Sequence, residues 1–304
     1  MISSTLRLVF SFFCTVTLLL VHPVSLPAYQ EIIYPKSTKP ELRQDLRELL
    51  RASLEKTLDE YGPYNLHSSE RQMNEARYLY EAKKGEKVNV IFTSATADKK
   101  ESLIPIRIPL RKGILGFRLS LINASLQDEF DRVNSLEELK RFTIGQGRGW
   151  GDVELYRRNG FNVITSASFE GLFKMVARNR FDHFPLGINE VHKKYRDWKD
   201  QLPELAIEQS IMIYYPWPYY FYVNPDYPEV ARRIESGLRT MIQDGTFDEI
   251  FMRHHGDVLD RVNFKKRKIF VLKNPLLADT SPLTEDKLWL AEDVLNETLN
   301  PESK

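Results

Sequence analysis

The apolar and polar positions of residues 140–190 follow the periods of strands and helices in turn. Apolar residues 142–144 predict a strand, and a helix-period segment follows a glycine-rich turn. Residues 161–165 predict a second strand, Ser168 is placed to cap a second helix, and a third strand is predicted to begin near Phe181. This alternation predicts a parallel sheet with right-handed crossovers, whose ligands bind at the carboxyl ends of its strands.

Four glycines fall within residues 145–151, at such a strand end. Closely spaced glycines let backbone N–H groups approach a ligand, and the next helix points its positive end at the same place, so a carboxylate or a phosphate fits. The spacing matches neither G-x-G-x-x-G nor a P-loop, which argues against a nucleotide site. A tight turn without a ligand is the alternative. The candidate contacts are Gln146, Arg148, the amide of Gly149, and Trp150 as an aromatic wall.

The preceding part of the chain repeats the strand and helix plan. Strands are predicted at 31–34, 64–67 and 87–93, with helices at 40–58 and 69–82 between them. Two similar α/β units predict two similar lobes. Strand-like residues 103–110 and 115–122 are predicted to carry the chain from the first lobe to the second, and residues 205–215 to carry it back. Two such crossings side by side form a hinge.

Beyond the return, Pro228 opens a predicted helix that ends at Asp244-Gly245, and a shorter helix follows. The aromatic run 214–222 is predicted to pack at the hinge or to face a partner. In the tail, 261–272 is strand-like and Leu288, Trp289 and Leu290 offer an anchor, before a frayed acidic terminus.

Composition supports an exported protein with two lobes. The chain has 304 residues, 42% hydrophobic, and a formal net charge of +1, which gives no indication of nucleic-acid binding. Residues 1–28 have the pattern of a signal peptide cut near Ala28, with an uncleaved anchor as the alternative. The only cysteine, Cys14, lies inside its apolar run. A mature chain without cysteine fits a bacterial periplasm.

Three segments resemble one known family. Residues 241–247 resemble the closing helix of the bacterial extracellular solute-binding proteins of family 3, the amino-acid type of periplasmic binding protein. Residues 135–140 resemble the segment that leads into that family's second lobe, and 215–225 resemble the stretch after its return crossing. The resemblance covers residues 30 to 257. It implies a type II fold, in which two α/β lobes, each a mostly parallel sheet flanked by helices, are joined by two crossovers.

The family's ligand residues carry over only in part. Where members have an arginine that grips the ligand α-carboxylate, this chain has Thr96-Ala97-Asp98-Lys99, and lysine keeps the charge without the planar fork. An aspartate that holds the ligand ammonium is expected after the third strand, where Glu190 is the substitute. Tyr34 and Phe92 provide aromatic walls or, as the alternative, core packing.

Metal and enzyme hypotheses have weaker support in the sequence. The adjacent His254 and His255 diverge by about 100° on a helix and cannot both face one ion. No G-x-S-x-G elbow is present. Carboxylates such as Asp131 and Glu190 could serve as acid and base in a dehydratase-like enzyme, although such pairs are usually solvated surface.

The predicted organisation is therefore a signal peptide, two lobes and an extension. The ranges are 1–28 for the signal peptide, 29–114 for the first part of lobe 1, 115–210 for lobe 2, 211–257 for the return to lobe 1, and 258–304 for the extension. The predicted function is a monomeric, non-enzymatic periplasmic protein, without cofactor, metal or nucleic acid. It closes on a small anionic or zwitterionic solute for ABC-type uptake or for a membrane sensor. The alternative is a signalling or interaction protein with a degenerate cleft.

Overall fold

A computed structural model describes residues 29–37, 43–95, 102–275, 277 and 288–290. The predicted signal peptide, Cys14, Thr96 and Lys99 lie outside these residues. Within the described ranges, no helix combines the length and the apolar character that a bilayer crossing requires.

The first lobe is built on two sheets, and the backbone and side chain of one residue, Asn89, join them. Strands β1 and β2 pair in parallel, while β11 lies between β3 and β4 and is antiparallel to both. Asn89 links β1 to β3, because its N–H donates to Ile33 O and its Nδ2 donates to Glu31 O. The strands are β1 (Gln30–Ser37), β2 (Tyr64–Met73), β3 (Val90–Ser94), β4 (Ile104–Ile106) and β11 (Tyr219–Val223). The helices are α1 (Gln44–Glu55), α2 (Leu58–Tyr61), α3 (Glu75–Lys84) and α9 (Pro228–Asp244).

The second lobe has one seven-stranded sheet in the order β12-β10-β5-β8-β6-β7, with β9 on β5. Strand β6 is parallel to β7 and β8, whereas β5 is antiparallel to its neighbours. The strands are β5 (Phe117–Asn123), β6 (Ile144–Gly147), β7 (Val163–Ser166), β8 (His183–Gly187), β9 (Leu205–Ile207), β10 (Ile211–Tyr214) and β12 (Lys268–Val271). The helices are α4 (Gln127–Asp131), α5 (Leu136–Leu139), α6 (Gly151–Arg158), α7 (Phe169–Ala177) and α8 (Val191–Trp198).

Each lobe has its own apolar core. In the first lobe, helices α1 and α9 pack on one face of the sheet, and a side chain at Gly237 would collide with the backbone of Ser53 in α1. This glycine therefore sets the close approach of the two helices. In the second lobe, α7 buries the apolar face that the sequence predicted. Ser168 caps the start of this helix, because its Oγ accepts from Gly171 N–H at 3.0 Å.

A helix links the two cores as a third crossing, in addition to the two predicted. Helix α10 (Thr246–Val262) begins with Phe247 in the first core, while Phe251 and Val262 lie in the second core. The chain then adds β12 to the second sheet, parallel to β10. The sequence predicted a shorter second helix here, and the 17-residue length of α10 follows from burial at both of its ends.

Two element boundaries in the first lobe differ from the prediction. Strand β1 does not stop at Pro35 but passes through it, with a register shift between Tyr34 and Lys36, and proline is tolerated at such irregularities. Residues 69–73, predicted as the first turn of a helix, continue β2. Because β2 is an edge strand with mostly exposed polar residues, it lacks an apolar alternation that would mark it.

The glycine-rich stretch is also partly strand. Gly145 and Gly147 belong to β6, and their missing side chains leave room for the rings of Phe181 and Trp150. The turn is therefore limited to residues 148–150. The aromatic run 214–222 is largely buried, which supports packing at the hinge.

Candidate functional site

The carboxyl ends of three parallel strands of the second lobe meet at one edge. Strand β6 ends at Gly147, and the turn that follows is held by Arg148 N–H donating to Ser166 O at 2.8 Å. Gly149 has φ +81° with open space where a side chain would lie. Among the described residues, no acceptor is bonded to the Gly149 N–H, which leaves this donor available at the start of α6.

Trp150 presents one face to the protein and one to the outside. Its indole packs where Gly147 lacks a side chain, and stacks on Phe184 at 6.2 Å between ring centroids with an interplanar angle of 26°. Phe169, the first residue of α7, lies 5.9 Å away and carries Lys194 Nζ at 5.2 Å from its ring centroid. Trp150 and Phe169 are each 37% exposed, so the edge offers a fixed aromatic surface.

Gln146 lies below this surface. It is fully buried, its Nε2 donates to Pro185 O at 3.3 Å, and its Oε1 has no partner. In this arrangement, its side chain does not line the cleft.

A buried ion pair, which sequence reasoning missed, lies under the start of α6. Arg118 Nη2 of β5 is 3.3 Å from Asp152 Oδ2, and the guanidinium lies over the ring of Tyr215 at 5.1 Å. Burial lowers the pKa of Arg118, but the nearby Asp152, and after it Tyr215 and Tyr156, more than reverse this effect and raise the pKa. Glu190 adds a smaller contribution in the same direction. Arg118 therefore stays charged, and its buried Nε has no partner. The two residues are 34 positions apart, and no local pattern links them.

Glu190 precedes α8 and faces the same edge. Its Oε1 accepts from Gly187 N–H at 3.1 Å, which orients the carboxylate. No described residue donates to its Oε2, so this oxygen can accept from a ligand. The structure therefore brings Arg148, Gly149, Trp150 and Glu190 to one edge.

The first lobe contributes a cation at the corresponding strand ends. Arg43 precedes α1, its Nη1 donates to Phe92 O at 3.2 Å, and its guanidinium lies over the rings of Phe92 and Tyr78 at 5.3 and 5.6 Å. Burial lowers the pKa of Arg43, and the neighbouring Tyr78 and Tyr219 contribute most to a net rise. Sequence reasoning missed Arg43. Tyr34 is partly buried against the first core.

Two cavities lie elsewhere. One of about 550 Å³ is at the amino ends of β6 and β8, between Arg141 and Asp182, and one of about 600 Å³ runs along β2 and α3. Neither is lined by residues of both lobes, and the polar groups at the strand ends described above do not line them. We therefore place the candidate site at the carboxyl-end edge of the second-lobe sheet, where the open donor, acceptor and aromatic groups lie together.

Histidines at the hinge are paired with carboxylates. His254 Nε2 is 2.7 Å from Glu48 Oε2, and His255 Nε2 is 3.1 Å from Asp45 Oδ2. In the part of the chain that the structure describes, no three histidine, cysteine or acidic residues are grouped to hold a metal ion.

No protein-family model and no curated protein matches the sequence. Among solved structures, the YckB protein of Bacillus subtilis is similar with a TM-score of 0.50 at 15% identity, over 80% of this chain and 96% of that chain. An ancestral arginine-binding protein bound to arginine gives a TM-score of 0.47 at 18% identity, over 75% of this chain and 98% of that chain. The substrate-binding protein of an amino acid ABC transporter gives a TM-score of 0.46 at 12% identity, over 74% of this chain and 99% of that chain. The predicted two-lobed α/β fold of periplasmic-binding-protein type II is confirmed. The sheets are mixed rather than mostly parallel as predicted, because β11 and β5 are antiparallel to their neighbours.

Proposed function

We propose that the protein is an exported solute-binding protein that holds a small anionic or zwitterionic solute of the amino-acid type between its lobes. The observation that carries the proposal is the edge of the second lobe, where an open amide, an aromatic face and an oriented carboxylate converge (Gly149, Trp150 and Glu190). Ligands of open α/β sheets bind at this edge.

The donors at the turn suit a carboxylate. The Gly149 N–H and the first N–H groups of α6 point their dipoles at one place, and the exposed Arg148 adds a full charge beside it. From the first lobe, the family resemblance assigns Thr96 and Lys99 to the same group. A solute carboxylate would thus be bound from both lobes.

The acceptor at Glu190 suits an ammonium group. Its carboxylate is fixed by Gly187 N–H, and the nearby cation Arg118 is already paired with Asp152. A charge-assisted hydrogen bond from a solute ammonium contributes about 1.5–3 kcal/mol. Trp150 then provides the wall against which the rest of the solute packs. Solute binding stabilises the state in which both lobes contact it, and an ABC permease or a membrane sensor reads that state.

A thermal-shift screen with amino acids and small carboxylates tests this proposal. We expect at least one compound to raise the melting temperature, and Glu190→Gln to weaken its binding by about 10- to 100-fold, as the loss of one charge-assisted bond predicts. Trp150→Leu is expected to weaken it as well. Arg157→Ala is the matched control, because Arg157 is exposed on the last turn of α6, away from the turn. No response to any compound would count against the proposal.

One observation favours the second candidate, a periplasmic signalling or interaction protein. The third crossing through α10 and β12 joins both cores, which restricts the lobe motion that uptake proteins use to report a bound solute. Capture of a defined envelope partner by the solute-free protein, unaffected by Glu190→Gln, would support this candidate over the first.

A further inference from the structure

The first hinge crossing contains a turn in an unusual backbone conformation. Lys112 and Gly113 have φ of +46° and +71°, and lie between β4 of the first lobe and β5 of the second. Lys112 N–H donates to Pro109 O at 2.9 Å and so closes the turn. A change in lobe orientation has to be absorbed by the dihedral angles of such connecting residues.

The far end of the chain covers this turn. Trp289 is 2% exposed, and a side chain carbon at Gly113 would lie 2.5 Å from its ring. Leu290 N–H donates to Lys112 O at 2.9 Å. We name residues 288–290 the tail contact. Because the indole lies directly on the turn, the turn cannot change its dihedral angles without moving Trp289.

Helix α10 holds the same turn from a second direction. Lys112 Nζ is 2.6 Å from Asp248 Oδ1 and 5.8 Å from the ring centroid of Phe251, both on this helix. Deeper in the hinge, His255 shares Asp45 with Arg111, which binds that carboxylate through two hydrogen bonds of 2.6 and 2.8 Å. Ion pairs and hydrogen bonds therefore connect the first crossing to both α1 and α10.

Strand β12 fixes the other end of α10 to the second lobe. Besides its pairing with β10, Arg267 is buried beneath it, and its Nη1 donates to Glu208 O at 2.7 Å and to Ile211 O at 3.0 Å. Bending at the hinge would have to bend α10, withdraw one of its ends from a core, or break these hydrogen bonds.

We infer that the tail contact and α10 act as a built-in brake on the hinge, which holds the two lobes in one relative orientation while Trp289 is docked. Undocking of Trp289 frees the turn at residues 112–113 and widens the range of lobe orientations. This inference goes beyond the proposed function, since the brake acts without any solute.

Distances between spin labels on the two lobes test the brake in the solute-free full chain. In a Cys14→Ser background, Lys83→Cys on α3 and Lys174→Cys on α7 place labels at exposed positions of each lobe. We expect a narrow distance distribution for this parent and one about twofold wider for Trp289→Ala, because the hinge then bends freely. Leu290→Pro, which removes the N–H donated to Lys112 O and the leucine side chain packed against the second core but leaves the indole of Trp289 in place, is expected to widen the distribution less.

Val271→Ala is the matched control, because the Val271 side chain lies in the same extension and is 51% exposed, and the change leaves the backbone pairing of β12 with β10 intact. Its distribution should equal that of the parent. Circular dichroism of each variant checks that both lobes stay folded. If Trp289→Ala unfolds, the distance distribution of Leu290→Pro is compared with that of the parent instead. Equal distributions for the parent and for a folded tail-contact variant would overturn the inference. The result is independent of solute binding, so it can fail while the proposed function holds.

Discussion

Replacement of Gly113 by alanine tests how tightly the tail contact packs on the turn, because the change in the free energy of unfolding reports the clash. At φ +71°, alanine costs about 1–2 kcal/mol relative to glycine. Its methyl group would also lie 2.5 Å and 2.7 Å from two ring carbons of Trp289, and such overpacking costs about 1–3 kcal/mol more. Gly113→Ala should therefore destabilise the protein by about 2–5 kcal/mol.

A double-mutant cycle separates the two contributions. Trp289→Ala alone removes a buried ring and should cost about 3–5 kcal/mol. With the ring absent, the methyl group has room, so the double variant should be about 1–3 kcal/mol more stable than the sum of the single changes predicts. Urea unfolding followed by circular dichroism measures all four free energies.

Gly245→Ala is the control for the backbone cost alone. Gly245 has φ +85°, and nothing lies within 4 Å of its added carbon. We expect Gly245→Ala to cost about 1–2 kcal/mol, with no coupling to Trp289→Ala. Additivity of Gly113→Ala and Trp289→Ala within about 0.5 kcal/mol would refute the proposed contact between the ring and the turn.

Two further predictions concern pH. Burial lowers the pKa of His183 to about 4. Between about pH 6.5 and pH 4 the unfolded chain therefore binds a proton at this residue and the folded chain does not. The free energy of unfolding should fall by about 1.4 kcal/mol for each pH unit as the pH is lowered from about 6 to 4. His183→Asn should lack this slope in urea unfolding at four pH values; an unchanged slope would contradict it. Burial raises the pKa of Asp45, but hydrogen bonds from Arg111 and His255 outweigh burial and hold this pKa well below its usual value. The ionised Asp45 therefore stabilises the fold above about pH 4, and this stabilisation is lost as the pH falls further. Asp45→Asn should cost about 3–5 kcal/mol at pH 7 and progressively less below pH 4, and a cost independent of pH would exclude the ionic role.

Structural features that residues close together in the sequence determine were predicted well. The cap at Ser168 and the helix end at Asp244-Gly245 both occur in the structure, because hydrogen bonds and backbone angles a few residues apart determine them. The fold class followed from the order of such local elements. In contrast, the edge strand β2 was taken in part for a helix, since half-solvated polar residues carry no apolar period.

The polar contacts between distant residues could not be predicted in this way. Arg118 pairs with Asp152, and Asp45 pairs with Arg111 and His255, across separations that only the folded topology closes. Among the predicted ligand residues, Gln146 is buried because the strand continues through the first glycines. The contribution of the others to solute binding stays a prediction.

Solute binding at the second-lobe edge is tested most directly by an amide NMR titration of the protein with a pooled set of amino acids, followed by the single compounds. We expect saturable shifts of the Gly149 amide and the Trp150 indole N–H, and loss of these shifts in Glu190→Gln. Signals that stay unchanged at the second-lobe edge, or shifts confined to the cavity along β2, would contradict it.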